Sequence, residues 1–258
     1  MHFAFLGTSG AVPSMRRDNT SLVFVGRDEA VLLDCGGSPV QKLLLAAVAP
    51  SRLVHVVITH IHADHAYGLP ALVQSLIVMG RTDALTVSCR AEHVEPLTAI
   101  LRAFGLLDRA GAFPIHLVPV SGRAGEPVAR TASFVISASG NAHGRMPNLA
   151  VRVDVPALDR AVVYSSDTEP CDAVVALARG ADTLVHEATF SSRRAERPGA
   201  HSTAADAGEI ATRASVRRLI LTHLDRAYHD DVAVLLDEAR ERFAGPVEIA
   251  EEIVPYPI

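Results

Sequence analysis

The opening of the chain alternates short apolar runs with turn-forming residues. Residues 3–6, 22–25 and 30–33 are mostly apolar, and glycine, proline, aspartate and asparagine lie between them. Runs of this length, bounded by such residues, are typical of consecutive strands. The sequence therefore predicts that the chain begins with a β-meander.

Helical and strand-like segments alternate after this opening. Leucines at helical spacing predict a helix over 39–48, and the β-branched run 53–59 predicts a strand buried on both faces. Two further helices are predicted over 69–79 and 91–104, with a strand at 85–89 between them. This order is typical of an α/β protein.

The second half of the chain repeats the order of the first. A helix over 203–214 has Ser202 available as its cap, and 121–127 is interpreted as a surface turn. Two β-rich halves, each flanked by helices, predict an αββα sandwich, and we assign residues 1–258 to one domain because the apolar content suffices for one large core. The other elements predicted in this half are strands at 115–118, 134–137, 149–153, 161–164, 183–186 and 218–221 and helices at 172–178 and 231–243.

A dense group of potential metal ligands follows the β-branched run. The segment His60-Ile-His62-Ala-Asp64-His65 places four such side chains within six positions, where the chain leaves a strand for a helix. Packing gives no reason for three imidazoles and a carboxylate so close together, whereas both groups are ligands of metal ions. His60 and His62 share one side of the extended segment, and Asp64 and His65 turn toward a second position. The segment therefore predicts two neighbouring metal ions.

Three further candidate ligands stand near the ends of later predicted strands. They are His143, Asp167 and His223, and each lies beside small residues. A lone histidine usually has a structural role or is exposed, but strand ends can bring distant side chains to one cleft. Together with the histidine cluster, these residues become candidates for the same site.

Composition narrows the range of partners. The net charge is -5 and Lys42 is the only lysine, so no lysine-rich face is available for a phosphate backbone. Cys35, Cys89 and Cys171 form no CxxC pair, which argues against a disulfide framework and favours a cytoplasmic location. The sequence has neither a signal peptide nor an apolar run of membrane-spanning length, so we expect a soluble protein without a membrane partner.

The order of these motifs resembles that of the metallo-β-lactamase superfamily over essentially the whole chain. The shared pattern is the HxHxDH run, a separate histidine, an aspartate after a strand and a late histidine. Within the superfamily, the sequence is most similar to the RNase Z branch. The motifs that carry this second likeness are Gly7-Thr-Ser-Gly-Ala-Val-Pro13, Leu33-Asp-Cys-Gly36, Tyr164-Ser-Ser-Asp-Thr168, His186-Glu-Ala-Thr-Phe190, His201-Ser-Thr203 and Leu221-Thr-His223.

The resemblance implies the metallo-β-lactamase fold and a dinuclear metal site. The implied metal is zinc, with manganese as an alternative. A hydroxide held between two such ions is available near neutral pH, and the ions neutralise charge on a phosphoryl oxygen. The implied ligands are His60, His62 and His143 for one ion, Asp64, His65 and His223 for the other, and Asp167 as the bridge.

The resemblance also implies a general acid. In the RNase Z pattern a histidine protonates the leaving group and a glutamate orients it, and these positions are His201 and Glu187 here. Asp64 is placed to hold the attacking water, and Asp34 to hydrogen-bond a ligating imidazole. His186 would point the other way on an extended segment and is not expected to be a ligand. No role is assigned to His2, His55, His93, His116 or His229.

One feature separates this sequence from tRNA-processing relatives. Those enzymes carry a long arm between the third and fourth metal motifs, whereas His143 and Asp167 are only 24 positions apart (167 less 143), which leaves room for a strand pair and a turn. Together with the net negative charge, this argues against a large RNA as partner. The residues after His223 also differ from the family pattern. Near the start of the chain, Arg16 or Arg17 is placed to bind an anion.

The leading interpretation is a phosphodiesterase that hydrolyses a small or cyclic phosphodiester. One alternative is a hydrolase of a carboxylic ester, lactone or lactam, because the same hydroxide attacks carbonyl groups. Two others are an RNase Z-type endonuclease and a noncatalytic metal-binding module. The resemblance also implies a homodimer. The substrate pocket depends on the conformations of 66–79 and 191–200, which the sequence leaves open.

Overall fold

The computed structural model describes residues 1–107, 109–194 and 199–258. Within them the chain forms two seven-stranded sheets. The first sheet contains β1 (His2–Gly7), β2 (Ser21–Val25), β3 (Ala30–Leu33), β4 (Leu53–Ile58), β5 (Leu85–Arg90) and β6 (Ile115–Val120). The second contains β7 (Glu126–Arg130), β8 (Val135–Gly140), β9 (Leu149–Val155), β10 (Arg160–Tyr164), β11 (Thr183–Glu187), β12 (Arg218–Thr222) and β13 (Val247–Ile249). The last strand, β14 (Pro255–Pro257), pairs with β1 at the edge of the first sheet.

Helices cover the outer faces of both sheets. The first four helices supply apolar side chains to a core on the outside of the first sheet, and the other three do so on the second. Their bounds are α1 (Pro39–Leu45), α2 (Ala63–Ala66), α3 (Gly68–Val78), α4 (Val94–Ala103), α5 (Asp172–Ala178), α6 (Ala204–Ala214) and α7 (Ala233–Arg240). None of the helices in the described ranges combines the length and hydropathy needed to cross a bilayer.

A third core lies between the sheets. The rings of Phe3 and Phe24 stack with centroids 5.4 Å apart, and Phe24 meets Phe134, beside β8 of the other sheet, edge-on at 6.1 Å. Such aromatic pairs add roughly 0.5–1.5 kcal/mol to the stabilisation from burial. With helices outside and this core inside, the chain has the predicted αββα architecture.

Strand direction brings distant parts of the sequence to one edge. Strands β3 and β4 run parallel, as do β10, β11 and β12, so the carboxyl ends within each group lie together. Chain segments that follow such ends are free to present polar side chains to a cleft. Every segment that carries a predicted site residue follows or ends one of these strands or β8.

The turn predicted over 121–127 is only partly correct. The chain turns at 121–125, but β7 begins at Glu126 and pairs with β8 at the edge of the second sheet. Its register shifts between Pro127 and Ala129, and its side chains are mostly half-buried or exposed. A strand of this kind has no alternation of apolar and polar residues, so the sequence pattern did not reveal it.

The predicted cap of the helix that begins near residue 203 was one residue off. Thr203, and not Ser202, caps α6: its hydroxyl accepts from the Asp206 backbone N–H at 3.2 Å, and the Asp206 carboxylate accepts from the Thr203 N–H at 2.9 Å. This reciprocal pair is a capping box. Ser202 instead donates to the carbonyl oxygen of Thr168 at 2.6 Å.

Candidate metal centre

The structure brings all seven predicted ligands together. Their donor atoms form two adjacent groups, and within each group these atoms lie within 4.8 Å of one another. One group draws on segments that follow β4, β8 and β10, and the other on segments that follow β4 and β12. The first group is His60, His62, His143 and Asp167, and the second is Asp64, His65 and His223.

In the first group, three imidazole nitrogens converge. Nδ1 of His62 lies 3.0 Å from Nε2 of His60 and 3.1 Å from Nε2 of His143. Nδ1 of His143 donates to the carbonyl oxygen of Ala200 at 2.7 Å. Nδ1 of His60 lies 3.2 Å from the hydroxyl of Thr59 and donates to it, because that hydroxyl gives its own proton to the carboxylate of Asp34. In the neutral imidazoles of His60 and His143, Nε2 is therefore an unprotonated acceptor.

The second group has the same pattern. Nε2 of His65 lies 3.4 Å from Nε2 of His223. Nδ1 of His65 donates to Asp34 at 2.8 Å, and Nδ1 of His223 donates to the Thr189 hydroxyl at 2.9 Å, because that hydroxyl gives its own proton to Glu187. In the neutral imidazoles, which are the forms that bind a metal ion, both Nε2 atoms therefore carry lone pairs that face each other.

A bound cation would satisfy the nitrogen atoms of each group better than hydrogen bonds among them can. A single proton on His62 cannot satisfy two unprotonated nitrogens, and two lone pairs facing each other repel. Nitrogen ligands roughly 2.0–2.1 Å from a tetrahedral zinc ion lie about 3.3 Å from each other, which is close to the spacings found here. The donor set and its spacing therefore match a site that could hold two metal ions.

Asp167 stands between the two groups. Its Oδ1 lies 3.3 Å from Nε2 of His65 and 3.2 Å from Nε2 of His223, and its Oδ2 lies 3.8 Å from Nε2 of both His60 and His143. Oδ1 is buried and has no hydrogen-bond partner in the described part of the chain. Burial opposes ionisation, but the charge that His223 and His65 carry when they are protonated outweighs it and holds the pKa of Asp167 well below its ordinary value. This carboxylate is thus placed to bridge two cations.

Asp64 and Asp34 are two further carboxylates that lie beside the candidate histidine ligands. Oδ2 of Asp64 lies 3.6 Å from Nε2 of both His65 and His223, and its side chain is 12% exposed to the cleft. Asp34 is fully buried and, besides His65, accepts from the backbone N–H of Thr59 at 2.8 Å and from the hydroxyl of Tyr164 at 3.1 Å. Such contacts fix the orientation and tautomer of a ligating imidazole.

The backbone is strained at three points of the centre. Asp34, Ser166 and His223 have φ angles of 60°, 55° and 55°, in the left-handed region that residues other than glycine rarely adopt. Gly36 lies so close to the backbone of Asp64 that any side chain there would collide with the Asp64 carbonyl oxygen. Strain of this kind persists where the surrounding structure enforces it, commonly at functional sites.

His201 lies at the edge of the centre, paired with Glu187. Nδ1 of His201 donates to Oε1 of Glu187 at 2.9 Å, and the histidine side chain is 21% exposed whereas the glutamate is fully buried. Burial lowers the pKa of His201, but its hydrogen bond to Glu187 and the charge of that carboxylate outweigh this effect and raise the pKa to about 9. The imidazole can therefore carry a proton at neutral pH. His186 is buried and donates to a backbone carbonyl, away from the candidate ligands.

Some contacts of the centre were not predicted from the sequence. The hydroxyl of Thr189 links Glu187 to His223, and the carbonyl oxygen of Ala200 orients His143. Part of the 191–200 segment, residues 195–198, lies outside the described residues. The sequence signal for Thr189 was its place in the His186-Glu-Ala-Thr-Phe190 motif. No sequence pattern could have shown that the backbone carbonyl of Ala200 contacts His143.

A cavity of about 410 Å³ opens onto the centre. Asp64, His201 and His223 line it together with Phe190 and Arg226. Cavities of about this size take small organic ligands. The site therefore combines a cluster that could hold cations, an imidazole that can carry a proton and a cavity large enough for a small ligand.

The comparisons with known proteins agree with this architecture. A family model described as "Beta-lactamase superfamily domain" matches residues 29–224. The chain is 31% identical to the Ribonuclease Z of Methanosarcina acetivorans in a match over 306 residues that covers 99% of each protein. Because this chain has 258 residues, at least 48 residues of that relative (306 less 258) have no counterpart here.

Two solved structures have the same fold. The metallo-β-lactamase fold protein YhfI of Bacillus subtilis has a TM-score of 0.83 at 23% identity, with 99% of this chain and 98% of that chain covered. The short form of human tRNase Z has a TM-score of 0.80 at 24% identity, with both chains fully covered. The family match, the relative and these folds agree with the likeness found in the motifs. The chain belongs to the metallo-β-lactamase superfamily, in its RNase Z-like branch.

Proposed function

We propose that this chain is a dinuclear metal-dependent phosphodiesterase that hydrolyses a small or cyclic phosphodiester. The observation that carries the proposal is the pairing of His201 with Glu187 beside a cluster of seven candidate metal ligands. An ester whose leaving group is an alkoxide needs a proton donor, and this pair is suited to supply one.

In this proposal His60, His62 and His143 would hold one ion and Asp64, His65 and His223 the other, and Asp167 faces both groups. Zinc is the expected metal because imidazole and carboxylate are among its usual ligands, with manganese as the alternative. When bound, such ions lower the pKa of a coordinated water and neutralise charge on the phosphoryl oxygens.

The protein's own groups have two tasks. The Asp64 carboxylate, which lines the cavity, accepts a hydrogen bond from the attacking water and so orients it. His201 gives its Nε2 proton to the departing oxygen, because Nδ1 is engaged by Glu187. The buried Glu187 stabilises the protonated imidazole until this transfer takes place.

Three observations favour a compact substrate. The interval between His143 and Asp167 is occupied by β9, β10 and their short connection, with no room for an arm. At least 48 residues of the ribonuclease Z relative have no counterpart here, as expected if this chain lacks such an insertion. The cavity of about 410 Å³ suits a mononucleotide-sized group.

The relatives support a second candidate function, the cleavage of RNA. Curated relatives at 31–33% identity over nearly the whole chain are named Ribonuclease Z. This finding weakens the expectation, drawn from charge and the missing arm, that a large RNA is not a substrate. The RNase Z-type reaction uses the same chemistry on a phosphodiester, so only the substrate separates the two candidates.

A direct assay tests the proposal. We expect the zinc- or manganese-loaded protein to hydrolyse bis(p-nitrophenyl) phosphate and cyclic mononucleotides, and His62→Ala to lower these rates at least 100-fold because it removes a proposed ligand. The measurement is product release by absorbance and chromatography, with His116→Ala, an exposed histidine on β6, as the matched control.

The assay also separates the alternatives. A precursor tRNA with a 3' extension, tested at the same enzyme concentration, should be cut more slowly than the small diesters. Faster cleavage of the tRNA would favour the RNA function. Hydrolysis of lactones or carboxylic esters without any phosphodiester turnover above that of His62→Ala would rule out both phosphodiesterase functions.

A further inference from the structure

A second pocket adjoins the catalytic cavity at its rim. It has a volume of about 320 Å³ and is lined by Ser14, Met15, Arg16, Arg226, His229 and Asp230. Arg226 lines both cavities, so one guanidinium group lies at the boundary between them. We call this space the rim pocket.

The loop after β1 determines which arginine reaches the rim pocket. Arg17 is directed into the protein, where it donates to the Thr8 hydroxyl at 2.8 Å and to the Ala250 carbonyl oxygen at 3.1 Å. Arg16 is exposed and lines the pocket. Of the two arginines that the sequence offered as anion contacts, only Arg16 is therefore available.

Arg226 is held from the opposite side of the pocket. It stands on a short turn of 3-10 helix capped by the Asp225 carboxylate, which accepts from the Ala227 N–H at 2.9 Å. Its Nη1 donates to the carbonyl oxygen of Pro13 at 3.2 Å. These contacts fix one edge of the guanidinium and leave its other donors available to a ligand.

The charges and polar groups of the rim pocket favour an anion next to a hydrogen-bond donor. Two guanidinium groups outnumber the single carboxylate of Asp230. Nε2 of His229 lies 3.1 Å from the Leu224 carbonyl oxygen and donates to it, so in the neutral imidazole Nδ1 is an acceptor. Nδ1 is buried and has no partner among the residues that the structure describes.

We propose that the rim pocket binds a second phosphoryl group, so that the substrate is a nucleotide carrying one phosphate beyond the scissile diester. This inference rests on the proposed function. Arginine is suited to the task because its planar guanidinium binds two phosphate oxygens at once. Arg16 and Arg226 then orient the substrate, and neither takes part in the bond cleavage.

The test compares two product-like ligands on the metal-loaded protein by calorimetry. Adenosine 3',5'-bisphosphate should bind at least about tenfold more tightly than adenosine 5'-monophosphate, because the second phosphate gains charge-assisted hydrogen bonds. Arg16→Ala and Arg226→Ala should each remove most of this preference. Arg102→Ala, an exposed arginine on α4, should keep it.

The outcomes separate this proposal from the proposed function. If the two ligands bind equally, or if both arginine variants keep the preference for the bisphosphate, the rim pocket does not bind a second phosphate. This conclusion holds even if bis(p-nitrophenyl) phosphate is hydrolysed. If both variants lose the preference but no diester is hydrolysed, the proposed phosphodiesterase function is wrong and the proposed phosphate site is still supported. A short 5'-phosphorylated RNA, tested alongside, tells whether an RNA end or a free nucleotide supplies the second phosphate.

Discussion

We expect His201→Ala to lower kcat for a phosphodiester with an alkoxide leaving group by about 10²- to 10⁴-fold, the usual contribution of a general acid. The reason is that His201, protonated through its contact with Glu187, is the proposed donor to the departing oxygen. For bis(p-nitrophenyl) phosphate, whose leaving group needs no proton, the loss should be less than about tenfold. Rates for both substrates, measured on the same preparations, check the prediction.

The pH profile provides an independent readout of the same role. A general acid must be protonated to act, so activity falls as the pH rises through its pKa. Glu187 raises the pKa of His201 to about 9, and Glu187→Gln removes that charge. The alkaline limb should therefore move to lower pH in this variant. An unchanged limb, or an equal loss for both leaving groups in His201→Ala, would contradict the assignment.

Asp167→Asn should reduce the bound metal to one ion per chain or fewer and lower activity by about 10³-fold or more. Asparagine has nearly the same size, but it lacks the charge that faces both ligand groups from within a buried site. Even residues that only orient a ligand change metal affinity about 10- to 100-fold, and a bridging ligand should matter more. The measurements are metal content by mass spectrometry after gel filtration and the rate of diester hydrolysis.

The matched control for this variant is Asp159→Asn. Asp159 is an exposed aspartate in the left-handed turn between β9 and β10, and asparagine tolerates the same backbone conformation. We expect this variant to keep both its metal and its activity. If Asp167→Asn retained two ions, a bridging role for Asp167 would be wrong.

The sequence predicted the fold and most of the centre because their signals are local. Apolar periodicity located the strands, and the segment from His60 to His65 follows a buried strand directly, so the direction of β4 fixes its place at the cleft. Candidate ligands far apart in the chain, such as His143 and His223, could be proposed for the same site because each follows a predicted strand, but only the family resemblance assigned each of them to one of two ions. Their convergence depends on how β8 and β12 are ordered in the second sheet.

Other features arise from packing and have no local signal. The left-handed conformations of Ser166 and His223 are strained, so nothing in their residue types predicts them. Two neighbouring arginines, Arg16 and Arg17, have the same side chain, and only the hydrogen bonds to Thr8 and Ala250 decide which is turned inward. Substrate selection depends on such details and therefore requires the folded structure.

Anomalous X-ray scattering from crystals grown with zinc tests the central claim most directly. We predict two peaks in each chain, one among His60, His62 and His143 and the other among Asp64, His65 and His223, with Asp167 between them. No peaks at these positions, or zinc bound only elsewhere in the protein, would contradict a dinuclear centre.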